Sequence, residues 1–591
     1  MCGICGEIRF DGRAPDAAAL RAMNDRMRAR GPDDEGIVIH QQRGFGHRRL
    51  AIMDLALASQ QPMFDAQLGI GVVFNGAIYN YPQLRDELRA LGYRFFSEGD
   101  TEVVLKAYHA FGRDFVQHLE GMFAIAVWER DTGRTLLARD RLGIKPLYYT
   151  SDATRFRFAS SLPALVAAGG IGSALDPMAL NYYLNFHAVV PSPHTILRDV
   201  RKLPPASTML IEADGKTGIE RYWTVDYDHD EDDEKRPFEE WRELLLEELR
   251  AAVRKRMLAA VDVGVLLSGG VDSSLLVGLM AEHKDARIST YSVGFETIGD
   301  TIGDEFRYSD VIARHFATDH HQIRVPSTDL LAHLPDAIAA MSEPMVSHDC
   351  IGFYLLSREV ARTCKAVQSG QGADEVFAGY HWYPPMVGSP RPLESYRDAF
   401  FDRDYAEYQQ TVAKQFDCSD VATAFVKDQF AAAGASDPVN KALRLDTTVM
   451  LVDDPVKRVD NMTMAFGLEA RVPFLDHRLV EFAARIPARH KLAGDGKYVL
   501  KEAARTVIPA EVIDRPKGYF PVPALKYLRG QVLDFVRDAL HNDAARDRGI
   551  FNQRYVDNLL EAPEEHITRL GGSKLWQLGL LELWLQQQGI R

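Results

Sequence analysis

The spacing of apolar residues divides the chain into regions of different predicted structure. Up to about residue 210, short apolar runs alternate with turn residues, at Gly69–Phe74, Gly121–Trp128, Thr135–Ala138 and Phe156–Ala159. Runs of this length between turn signals are typical of strands, so we predict a strand-rich α+β region. From Pro237 onward, helical patterns alternate with short buried runs, which is typical of a parallel α/β sheet. Beyond about residue 400 the pattern is mostly helical, and we find no internal repeat.

The two regions meet at an acidic segment. Residues Asp226–Arg236 contain seven acids in eleven positions, which we interpret as a solvated linker. We therefore predict one domain over residues 1–212, the linker over residues 226–236 and a second domain over residues 237–591. The strands predicted for the sheet of the second domain are Val263–Leu267, Ile288–Phe295, Gln322–Val325 and Lys365–Gln368.

Composition excludes several classes of protein. The net charge of −14 argues against a general nucleic-acid binder. No run of about 18 apolar residues predicts a membrane-spanning helix, and the first residues lack the basic start and apolar stretch of a secretion signal. Five cysteines, an odd number, indicate reduced thiols. We expect a cytoplasmic protein that acts on small molecules, with no nucleic-acid or membrane partner and with a homodimer left open.

One buried run ends in a loop suited to binding phosphate. In Val263–Met280 the apolar run is followed by Ser268-Gly269-Gly270, and a helical pattern then opens with Asp272-Ser273-Ser274. The start of a helix offers unpaired N–H groups and a positive dipole end, and glycines let the backbone approach an anion closely. No Gly-Lys-Ser/Thr follows, so this is not the phosphate loop of kinases and GTPases. An ordinary strand–turn–helix joint is the alternative.

The whole string SGGVDSS resembles the pyrophosphate loop of the ATP-pyrophosphatase family, whose members adenylate carboxylates and release pyrophosphate. A second loop, Val367–Tyr380, also follows a predicted strand. The resemblance implies ATP and Mg²⁺ as cofactors, with Asp272 and Asp374 holding the metal and Lys497 neutralising the departing pyrophosphate. The ATP-binding residues that it implies are Leu267, Ser268, Gly269, Gly270, Asp272, Ser273, Ser274, Val293, Ser369 and Gly370. Arg515 and Lys517 could assist them, or could belong to a solvated basic loop.

The second residue is a candidate nucleophile. If Met1 is removed, Cys2 carries both a thiol and a free α-amine that can accept the thiol proton. By position alone, a buried and unreactive thiol is the more common case. Cys5 has no further Cys or His near it beyond Cys2, so we interpret it as a small core residue rather than a metal ligand.

Motifs that occur in order over nearly all of residues 1–200 favour the nucleophile. They are MCGICG, RGPDDEG, GHRRLAIMD, FNGAIYNY, GDTEV, GMFAIAVWE and RDRLGIKPLYY. Together they resemble the class II glutamine amidotransferase domain, an N-terminal-nucleophile fold of stacked antiparallel sheets with helices. Joined to an α/β ATP-pyrophosphatase-type domain with a parallel sheet, it resembles the asparagine synthetase (glutamine-hydrolysing) family. The resemblance implies that Cys2 attacks the glutamine amide, that Asn75 and Gly76 form the oxyanion hole, and that Arg49 and Asp100 hold the α-carboxylate and the α-ammonium.

The chain departs from the family pattern in both halves. Ala77 replaces a glutamate that helps to hold the glutamine α-amine, and Gln371 replaces the glutamate expected to accept a proton from ammonia. An amide does not titrate near neutral pH, so either another carboxylate takes over or the chemistry at the acceptor differs. Glu343, Glu375 and Glu502 are candidate replacements that the sequence does not rank.

These departures weaken aspartate as the predicted acceptor. His348 lies where some members of the family place an arginine for aspartate, and with Gln371 and Glu343 it is a candidate acceptor-site residue. The stretches SGQGADEVFAGYHWYPP and GDEFRYSD are more similar to the N-acetylglutaminylglutamine amidotransferase branch. That resemblance implies amidation of the C-terminal carboxylate of an acetylated dipeptide, which gives a neutral osmolyte. His381-Trp382-Tyr383 could line a larger acceptor pocket or pack in the core.

Three hypotheses follow from the sequence. The preferred one is a carbon–nitrogen ligase in which Cys2 releases ammonia from glutamine and the ammonia passes inside the protein to an acyl-AMP. The second is asparagine synthetase proper, with aspartate as the acceptor. The third is a non-catalytic sensor of glutamine or nucleotide, which Ala77 and Gln371 favour and the otherwise intact catalytic set opposes.

Overall fold

The amino-terminal region, residues 2–221, is built on two antiparallel sheets. A computed structural model of the chain describes residues 2–283, 287–296, 303–515, 525 and 528–590, without the side chains of residues 327–329. The strands of this region are β1 (Gly3–Arg9), β2 (Asp34–His40), β3 (Arg43–Arg49), β4 (Met63–Asp65), β5 (Ile70–Ile78), β6 (Gly121–Glu129), β7 (Thr135–Arg139), β8 (Tyr148–Ser151), β9 (Arg155–Ala159), β10 (Arg201–Lys202), β11 (Ser207–Ile211) and β12 (Thr217–Arg221). One sheet has the order β10-β8-β9-β1-β3-β2, and the other has the order β12-β11-β7-β6-β5-β4. The predicted strand-rich α+β region is confirmed.

The two sheets pack face to face, and helices cover their outer faces. The core between the sheets contains Ile4, Phe45, Val73, Trp128 and Met209, with the Phe45 and Trp128 rings stacked 4.2 Å apart. The helices of this region are α1 (Ala17–Arg26), α2 (Tyr81–Ala90), α3 (Asp100–Phe111), α4 (Phe115–His118), α5 (Leu162–Ala167) and α6 (Pro177–Asn185). Because strands β5 and β6 are covered on both faces, their sequences are nearly continuous apolar runs rather than alternating ones.

The carboxy-terminal region, residues 237–590, contains a five-stranded parallel sheet. Its strands are β13 (Val263–Leu266), β14 (Ser289–Phe295), β15 (Asp319–Val325), β16 (Ala366–Gln368) and β17 (Glu469–Arg471), in the order β15-β14-β13-β16-β17. From β13 the chain order continues outward to β14 and β15 on one side, and β16 and β17 lie on the other side, so the direction of winding reverses between β13 and β16. In such sheets, ligands bind in the crevice at the carboxyl ends of the two strands where the order reverses. The four predicted strands are confirmed.

Strand β17 was not predicted, because the chain beyond residue 400 has a mostly helical pattern. The strand is three residues long and carries two buried charged residues, Glu469 and Arg471, whose side chains pair at 2.6 Å. A short polar strand of this kind gives no periodic apolar signal. It exists because the ion pair is formed within the sheet and the backbone pairs with β16.

Helices surround the parallel sheet. They are α7 (Glu231–Lys235), α8 (Phe238–Lys255), α9 (Val271–Ala281), α10 (Phe306–His315), α11 (Ser327–Ala340), α12 (Asp349–Val360), α13 (Ala373–Phe377), α14 (Pro392–Phe400), α15 (Tyr405–Thr411), α16 (Val421–Ala431), α17 (Pro438–Leu445), α18 (Lys457–Met464), α19 (His477–Arg485), α20 (Ala488–Leu492), α21 (Tyr498–Ala504), α22 (Ala510–Ile513), α23 (Gly530–His541), α24 (Asp543–Arg548), α25 (Gln553–Glu561) and α26 (Lys574–Gln587). Within the described residues, no helix has the length and apolar character needed to cross a bilayer. All five cysteines are free thiols.

The acidic segment between the regions is only partly solvated. It contains the short helix α7, and Asp233 within it is buried and accepts a hydrogen bond from Arg485 Nη2 at 2.6 Å. The interpretation as a wholly solvated linker is therefore wrong at this position, because an arginine of the carboxy-terminal region compensates the buried charge. The exact domain limits stay a prediction.

Buried ion pairs join the two regions. Arg30 Nη1 lies 2.8 Å from Asp460 Oδ2, and Lys145 Nζ lies 3.4 Å from Asp460 Oδ1. Lys202 of the amino-terminal region pairs with Asp453. All of these side chains are almost fully buried, so removal of one partner would leave an uncompensated charge in the interface.

Candidate active sites

The first candidate site is a small cavity at the start of β1, which we call the thiol cavity. It encloses about 30 Å³ and is lined by Cys2, Arg49, Gly76, Asp100 and others. The Cys2 N–H donates to Asn75 Oδ1 at 3.0 Å, and Cys2 Sγ lies 4.0 Å from the carbonyl oxygen of Leu50. Cys2 immediately precedes β1 of one sheet, and Asn75 lies in β5 of the other. Packing of the two sheets therefore brings the predicted nucleophile and its predicted oxyanion partner together.

Asn75 and Gly76 have the features that an oxyanion hole needs. Asn75 is fully buried, and its Nδ2 has no hydrogen-bond partner in the structure. A buried donor without a partner is costly, and such a donor beside a nucleophile can stabilise a developing negative charge. At Gly76 a Cβ atom would lie 2.1 Å from the carbonyl oxygen of Met122, so no side chain fits at this position.

The two predicted glutamine-binding residues line the same cavity. Arg49 Nη2 donates to the carbonyl oxygens of Asp54 at 2.8 Å and Ala56 at 3.0 Å, which fixes the guanidinium at the cavity wall. Asp100 is the first residue of α3 and accepts the Ile78 N–H at 3.0 Å. The adjacent Arg48 pairs instead with Asp25 and Glu35. The alternation of side chains along β3 therefore distinguishes Arg49 from Arg48.

Burial controls the titration of the thiol cavity. It raises the pKa of the Cys2 thiol, so the uncharged thiol predominates near neutral pH and a base is needed to activate it. Burial also raises the pKa of the Asp100 carboxyl, to about 7, although the Ile78 N–H opposes the shift. Asp100 is therefore partly protonated at neutral pH until a cation approaches it.

The second candidate site, the loop cavity, lies at the carboxyl ends of β13 and β16. It encloses about 290 Å³ between the loop that follows β13 and the loop that follows β16. Gly269 has a φ of +77°, and a Cβ atom there would lie 2.7 Å from the backbone nitrogen of Ser309. At Gly370 a Cβ atom would lie 3.0 Å from the Cβ of Asp272. The glycines thus let the two loops approach each other and α10 closely, as the sequence predicts for a phosphate-binding turn.

Lys497 joins the two loops. Its Nζ lies 2.7 Å from Asp272 Oδ2 and 3.0 Å from Asp374 Oδ1. Burial opposes the charge of the lysine, but the two carboxylates outweigh burial and raise the pKa of Lys497. At Gly379 a Cβ atom would lie 2.0 Å from Asp374 Oδ1, so only glycine leaves room for this carboxylate. Asp272 and Asp374, the predicted metal ligands, are therefore in direct contact with Lys497, which is predicted to neutralise pyrophosphate.

The donor set fits Mg²⁺. Two carboxylate oxygens converge on one cationic group, and Mg²⁺ is typically held by one or two carboxylates together with phosphate oxygens and water. In the described part of the chain, no group of three or more His, Cys, Asp or Glu side chains is assembled as a metal site. The protein by itself thus offers a partial coordination shell, which a substrate triphosphate would complete.

Most of the predicted ATP-binding residues line the loop cavity. Those that do are Leu267, Ser268, Gly270, Asp272, Ser273, Val293, Ser369 and Gly370. Gly269 shapes the turn without lining the cavity, and Ser274 is fully buried in α9. Ser268 and Ser273 are linked by a hydrogen bond between their hydroxyl oxygens at 3.1 Å, which holds the turn closed.

Only one of the three predicted acceptor-site residues lines the loop cavity. It is Gln371. His348 precedes α12, which presents Asp349 and Phe353 to the cavity instead, because residues four apart share one face of a helix. Glu343 is buried in the interface between the regions, with its carboxylate 3.2 Å from Lys202 Nζ. His348 and Glu343 do not line the loop cavity, and their assignment to the acceptor site stays a prediction that this cavity does not support.

The structure ranks the three candidate bases. Glu375 lines the loop cavity and accepts a hydrogen bond from the Tyr380 hydroxyl at 2.8 Å. Glu502 pairs with Arg505 at 2.9 Å and does not line the cavity, and neither does Glu343. Burial, assisted by the charge of Asp374, raises the pKa of Glu375 to about 8. This carboxyl therefore has the perturbed titration that is typical of proton-transfer groups.

Other residues of the loop cavity were not singled out from the sequence. They include Asp349, Phe353, Tyr380, Arg458 and Lys501. The stretch Leu451–Ala483 resembles the corresponding part of the family, and the basic residue Arg458 within it was the available signal. Arg515 also lines the cavity, 3.0 Å from Glu305, whereas Lys517 lies outside the described residues.

The aromatic residues after the second loop are mainly structural. Trp382 and Tyr383 are buried, Trp382 stacks on Tyr380 at 4.1 Å, and its Nε1 donates to Asp446 at 2.8 Å. Core packing is therefore the correct interpretation for these two rings.

Comparison with known proteins identifies the family of both regions. The model of the family described as asparagine synthase matches residues 244–586, and the model described as glutamine amidotransferase domain matches residues 1–223. The chain belongs to the asparagine synthase family. With both parts present it is a glutamine-dependent carbon–nitrogen ligase, so the hypothesis of a non-catalytic sensor is not supported.

Relatives of similar length support this assignment. Asparagine synthetase [glutamine-hydrolyzing] 1 of Bacillus subtilis is 29% identical over 99% of this chain and 96% of its own length. A protein named amidase chry2, from Gibberella zeae, is 26% identical over 88% of this chain and 89% of its own length. Among solved structures, a glutamine phosphoribosylpyrophosphate amidotransferase from B. subtilis aligns with 63% of this chain and 82% of its own. Its TM-score of 0.30 and identity of 14% are too low to assign anything further.

Strand β17 connects the two cavities of this asparagine synthase family member. The Glu469 side chain lines the thiol cavity, while the backbone carbonyl oxygen of Arg471 accepts the N–H of Ser369, which lines the loop cavity, at 2.8 Å. Residues two apart on a strand are separated by about 7 Å. The thiol cavity therefore adjoins the sheet whose carboxyl end forms the loop cavity.

Proposed function

We propose that the thiol cavity hydrolyses glutamine and that the loop cavity transfers the released ammonia to an ATP-activated carboxylate. After removal of Met1, Cys2 attacks the glutamine amide while its own α-amine accepts the thiol proton. The C–N bond breaks, ammonia leaves with that proton, and water then hydrolyses the resulting thioester to give glutamate and the free thiol. Asn75 Nδ2 and the Gly76 N–H stabilise the negative oxygen of the tetrahedral intermediate. The observation that supports these roles is the hydrogen bond from the Cys2 N–H to Asn75 Oδ1, together with the Asn75 amide nitrogen, which has no hydrogen-bond partner in the structure.

In the loop cavity, ATP reacts with an acceptor carboxylate to give an acyl-AMP and pyrophosphate. The loop that follows β13 binds the phosphates, and Lys497 neutralises the charge that develops on the leaving pyrophosphate. Asp272 and Asp374 would hold Mg²⁺, which lowers the charge of the triphosphate. Ammonia then displaces AMP and gives an amide. The single observation that carries this half is the position of Lys497, within 3.0 Å of a carboxylate from each loop.

The acceptor that we propose is the C-terminal carboxylate of N-acetylglutaminylglutamine. Gln371 places a neutral amide at the cavity wall, and Phe353 and Leu356 add apolar surface suited to an uncharged chain. Family membership leaves the acceptor open, since relatives of similar length carry names other than asparagine synthetase.

Aspartate is the second candidate acceptor. Arg458 supports it, because this buried arginine lines the loop cavity and its Nε has no hydrogen-bond partner in the structure. A guanidinium is well suited to a second carboxylate of the acceptor. The relatives that are named asparagine synthetases also favour it.

A direct comparison of acceptors tests the proposal. The purified protein is supplied with ATP, Mg²⁺ and ammonium chloride, and with either the acetylated dipeptide or aspartate, while AMP, pyrophosphate and the amide product are followed. We expect the dipeptide to be amidated at least about 100-fold faster than aspartate, since a cavity wall that suits an uncharged chain would bind the second charge of aspartate poorly in the transition state. Asparagine formation without dipeptide turnover would reverse the assignment. If neither the dipeptide nor aspartate supported AMP release, both candidate acceptors would be contradicted.

A further inference from the structure

Strand β5, which carries the proposed oxyanion hole, is paired with β4 over only part of its length. The ladder between the two strands reaches as far as the pair Met63 and Val72. Continued in the same register, it would place Gln61 opposite Phe74, the residue before Asn75. Phe74 is buried, so its N–H and C=O need hydrogen-bond partners other than the backbone of β4.

Two side chains provide these partners. Gln61 Oε1 accepts the Phe74 N–H at 2.6 Å, and His47 Nε2 lies 3.3 Å from the Phe74 carbonyl oxygen. Because a carbonyl oxygen can only accept, His47 is the donor in the second bond. The Phe74 carbonyl and the Asn75 N–H belong to one peptide unit. The two side chains therefore fix the backbone that leads into the oxyanion hole.

The other end of the Gln61 amide binds helix α3. Gln61 Nε2 donates to Thr101 Oγ1 at 3.1 Å, and both residues line the thiol cavity. Thr101 follows Asp100, the residue proposed for the α-ammonium of glutamine, in the first turn of the helix. One buried carboxamide thus joins the backbone beside the oxyanion hole to the helix that carries Asp100.

The backbone of Gln61 is held by the other sheet. At Gly36, which lies in β2, a Cβ atom would be 2.2 Å from the Gln61 carbonyl oxygen, so the two backbones are in direct contact. Gln61 is 7% exposed. A residue that is held at its backbone and at both ends of its amide has little freedom to move. Such rigidity is what a residue that positions a catalytic group requires.

We propose that Gln61 is a positioning residue of the glutaminase site, which holds the oxyanion hole of Asn75 and Gly76 at a fixed distance from the Asp100 carboxylate. This inference rests on the proposed function of the thiol cavity. The amide carbon and the α-amine of glutamine lie at opposite ends of one short chain, so the groups that receive them must be held at a matching separation. A displacement of about 1 Å in such a site can cost about 10²-fold in rate.

The substitution Gln61→Met tests this role, because methionine has a similar length but neither hydrogen-bonding group of the amide. Glutamine hydrolysis by the full-length parent and by the variant is measured as release of glutamate. We expect kcat to fall about 10- to 100-fold while KM changes less than about threefold, since an oxyanion hole stabilises the transition state rather than the bound substrate.

Substitutions at Thr101 separate the hydrogen bond from packing, and they also cover the case in which Gln61→Met does not fold. Thr101→Val keeps the shape of the side chain but removes the hydroxyl, whereas Thr101→Ser keeps the hydroxyl. We expect kcat to fall several-fold in Thr101→Val and less than about twofold in Thr101→Ser. In the double variant of Gln61→Met and Thr101→Val, we expect kcat within about twofold of that of Gln61→Met, because both substitutions break the same contact.

The matched control is Gln577→Met. Gln577 is 2% exposed and is also bonded at both ends of its amide: Nε2 donates to the Tyr183 carbonyl oxygen at 2.8 Å, and Oε1 accepts from Arg403. It lines neither cavity, so we expect kcat for glutamine to stay within about twofold of the parent.

Four outcomes would overturn the inference. They are an unchanged kcat in folded Gln61→Met, a loss confined to KM, an equal fall of kcat in Gln577→Met, and equal effects of Thr101→Val and Thr101→Ser. Any of them would show that Gln61 supports only the fold or does not act through Thr101. A parent protein that hydrolyses no glutamine would instead contradict the proposed function itself, so the two failures are distinguishable.

Discussion

The two cavities of this protein are built in different ways. The thiol cavity encloses about 30 Å³ and takes its reactive residues from strands of two packed antiparallel sheets. The loop cavity encloses about 290 Å³ and is formed by glycine-rich loops at the carboxyl ends of parallel strands. In the first, positions are fixed by sheet packing. In the second, they are fixed by one lysine that joins two loops.

This difference follows from the size of what each cavity would bind. A small amino acid whose amide is attacked by a thiol needs close and rigid placement, which side chains on paired strands provide. A nucleotide triphosphate needs many N–H groups and room, which loops at helix starts provide. Strand β17 belongs to the second architecture but contributes Glu469 to the first, so the two sites are not structurally independent.

The largest expected effect separates the two cavities. Cys2→Ala removes the nucleophile, so we expect glutamine-supported amide formation to fall by about 10⁴-fold or more. Amide formation from added ammonium should persist, because the loop cavity receives its ammonia from solution. Product formation is measured with each nitrogen source. Loss of both activities in a folded protein would contradict two separable sites.

The next effect concerns the interface between the regions. Asp460→Asn leaves the buried cations of Arg30 and Lys145 without their carboxylate, so we expect a loss of about 3–5 kcal/mol in the free energy of unfolding. Urea denaturation of parent and variant measures it. Glu564→Gln, which removes an exposed ion pair with Arg529, is the control and should cost under about 1 kcal/mol. Similar costs for the two variants would show that the buried pairs do not hold the regions together.

A third experiment addresses the loop cavity alone. Lys497→Met should lower pyrophosphate release by about 10²- to 10³-fold, since one preorganised positive group is lost where charge develops. Glutamine hydrolysis should be retained. Lys574→Met serves as the control, because Lys574 also pairs with a carboxylate, Glu407, but lines neither cavity. Pyrophosphate release that is equally slow in both variants would argue against a specific role for Lys497.

The last expected effect is a change in pH dependence, which is spread over several pH units. Folding raises the pKa of Asp100 from 3.8 to about 7, so the folded protein holds a proton that the unfolded chain has already released. Stability from this group is complete below pH 4 and is lost as pH rises to 7, by at most about 4 kcal/mol. Asp100→Asn should remove this loss. Thermal unfolding between pH 5 and pH 8 measures it, and parallel curves for the two proteins would show that Asp100 does not titrate in this range.

Several elements could be predicted from the sequence because their signals are local. The apolar run Val263–Leu267, the glycines after it and the helix pattern that follows are contiguous, so strand, turn and helix were all predicted. Strand β17 could not be predicted, because its stability comes from an internal ion pair and from pairing with β16, which is about 100 residues away in the chain. Contacts over such separations leave no periodic pattern.

The same distinction applies to the acceptor side of the loop cavity. Gln371 was predicted from its place in a glycine-rich motif and does line the cavity. His348 was placed there by its position in the family resemblance, and it lies just before α12, whose first residue is Asp349. A difference of one residue in such a register turns a side chain on a helix by about 100° to another face. Only the packing of α12 shows that Asp349 and Phe353 face the loop cavity. Likewise, only the contact with Lys202 shows that Glu343, which precedes α12, faces the amino-terminal region.

The sequence by itself determined which chemical groups are present: a thiol at residue 2, a phosphate-binding turn, two carboxylates and a lysine, each within a short motif. It also determined the order of the regions, because helix and strand periodicities depend on neighbouring residues. The tertiary structure decided which groups meet. Glu469 reaches the thiol cavity, and Lys497 reaches Asp272 and Asp374, only through packing of elements that lie far apart in the chain, and burial then sets their charges.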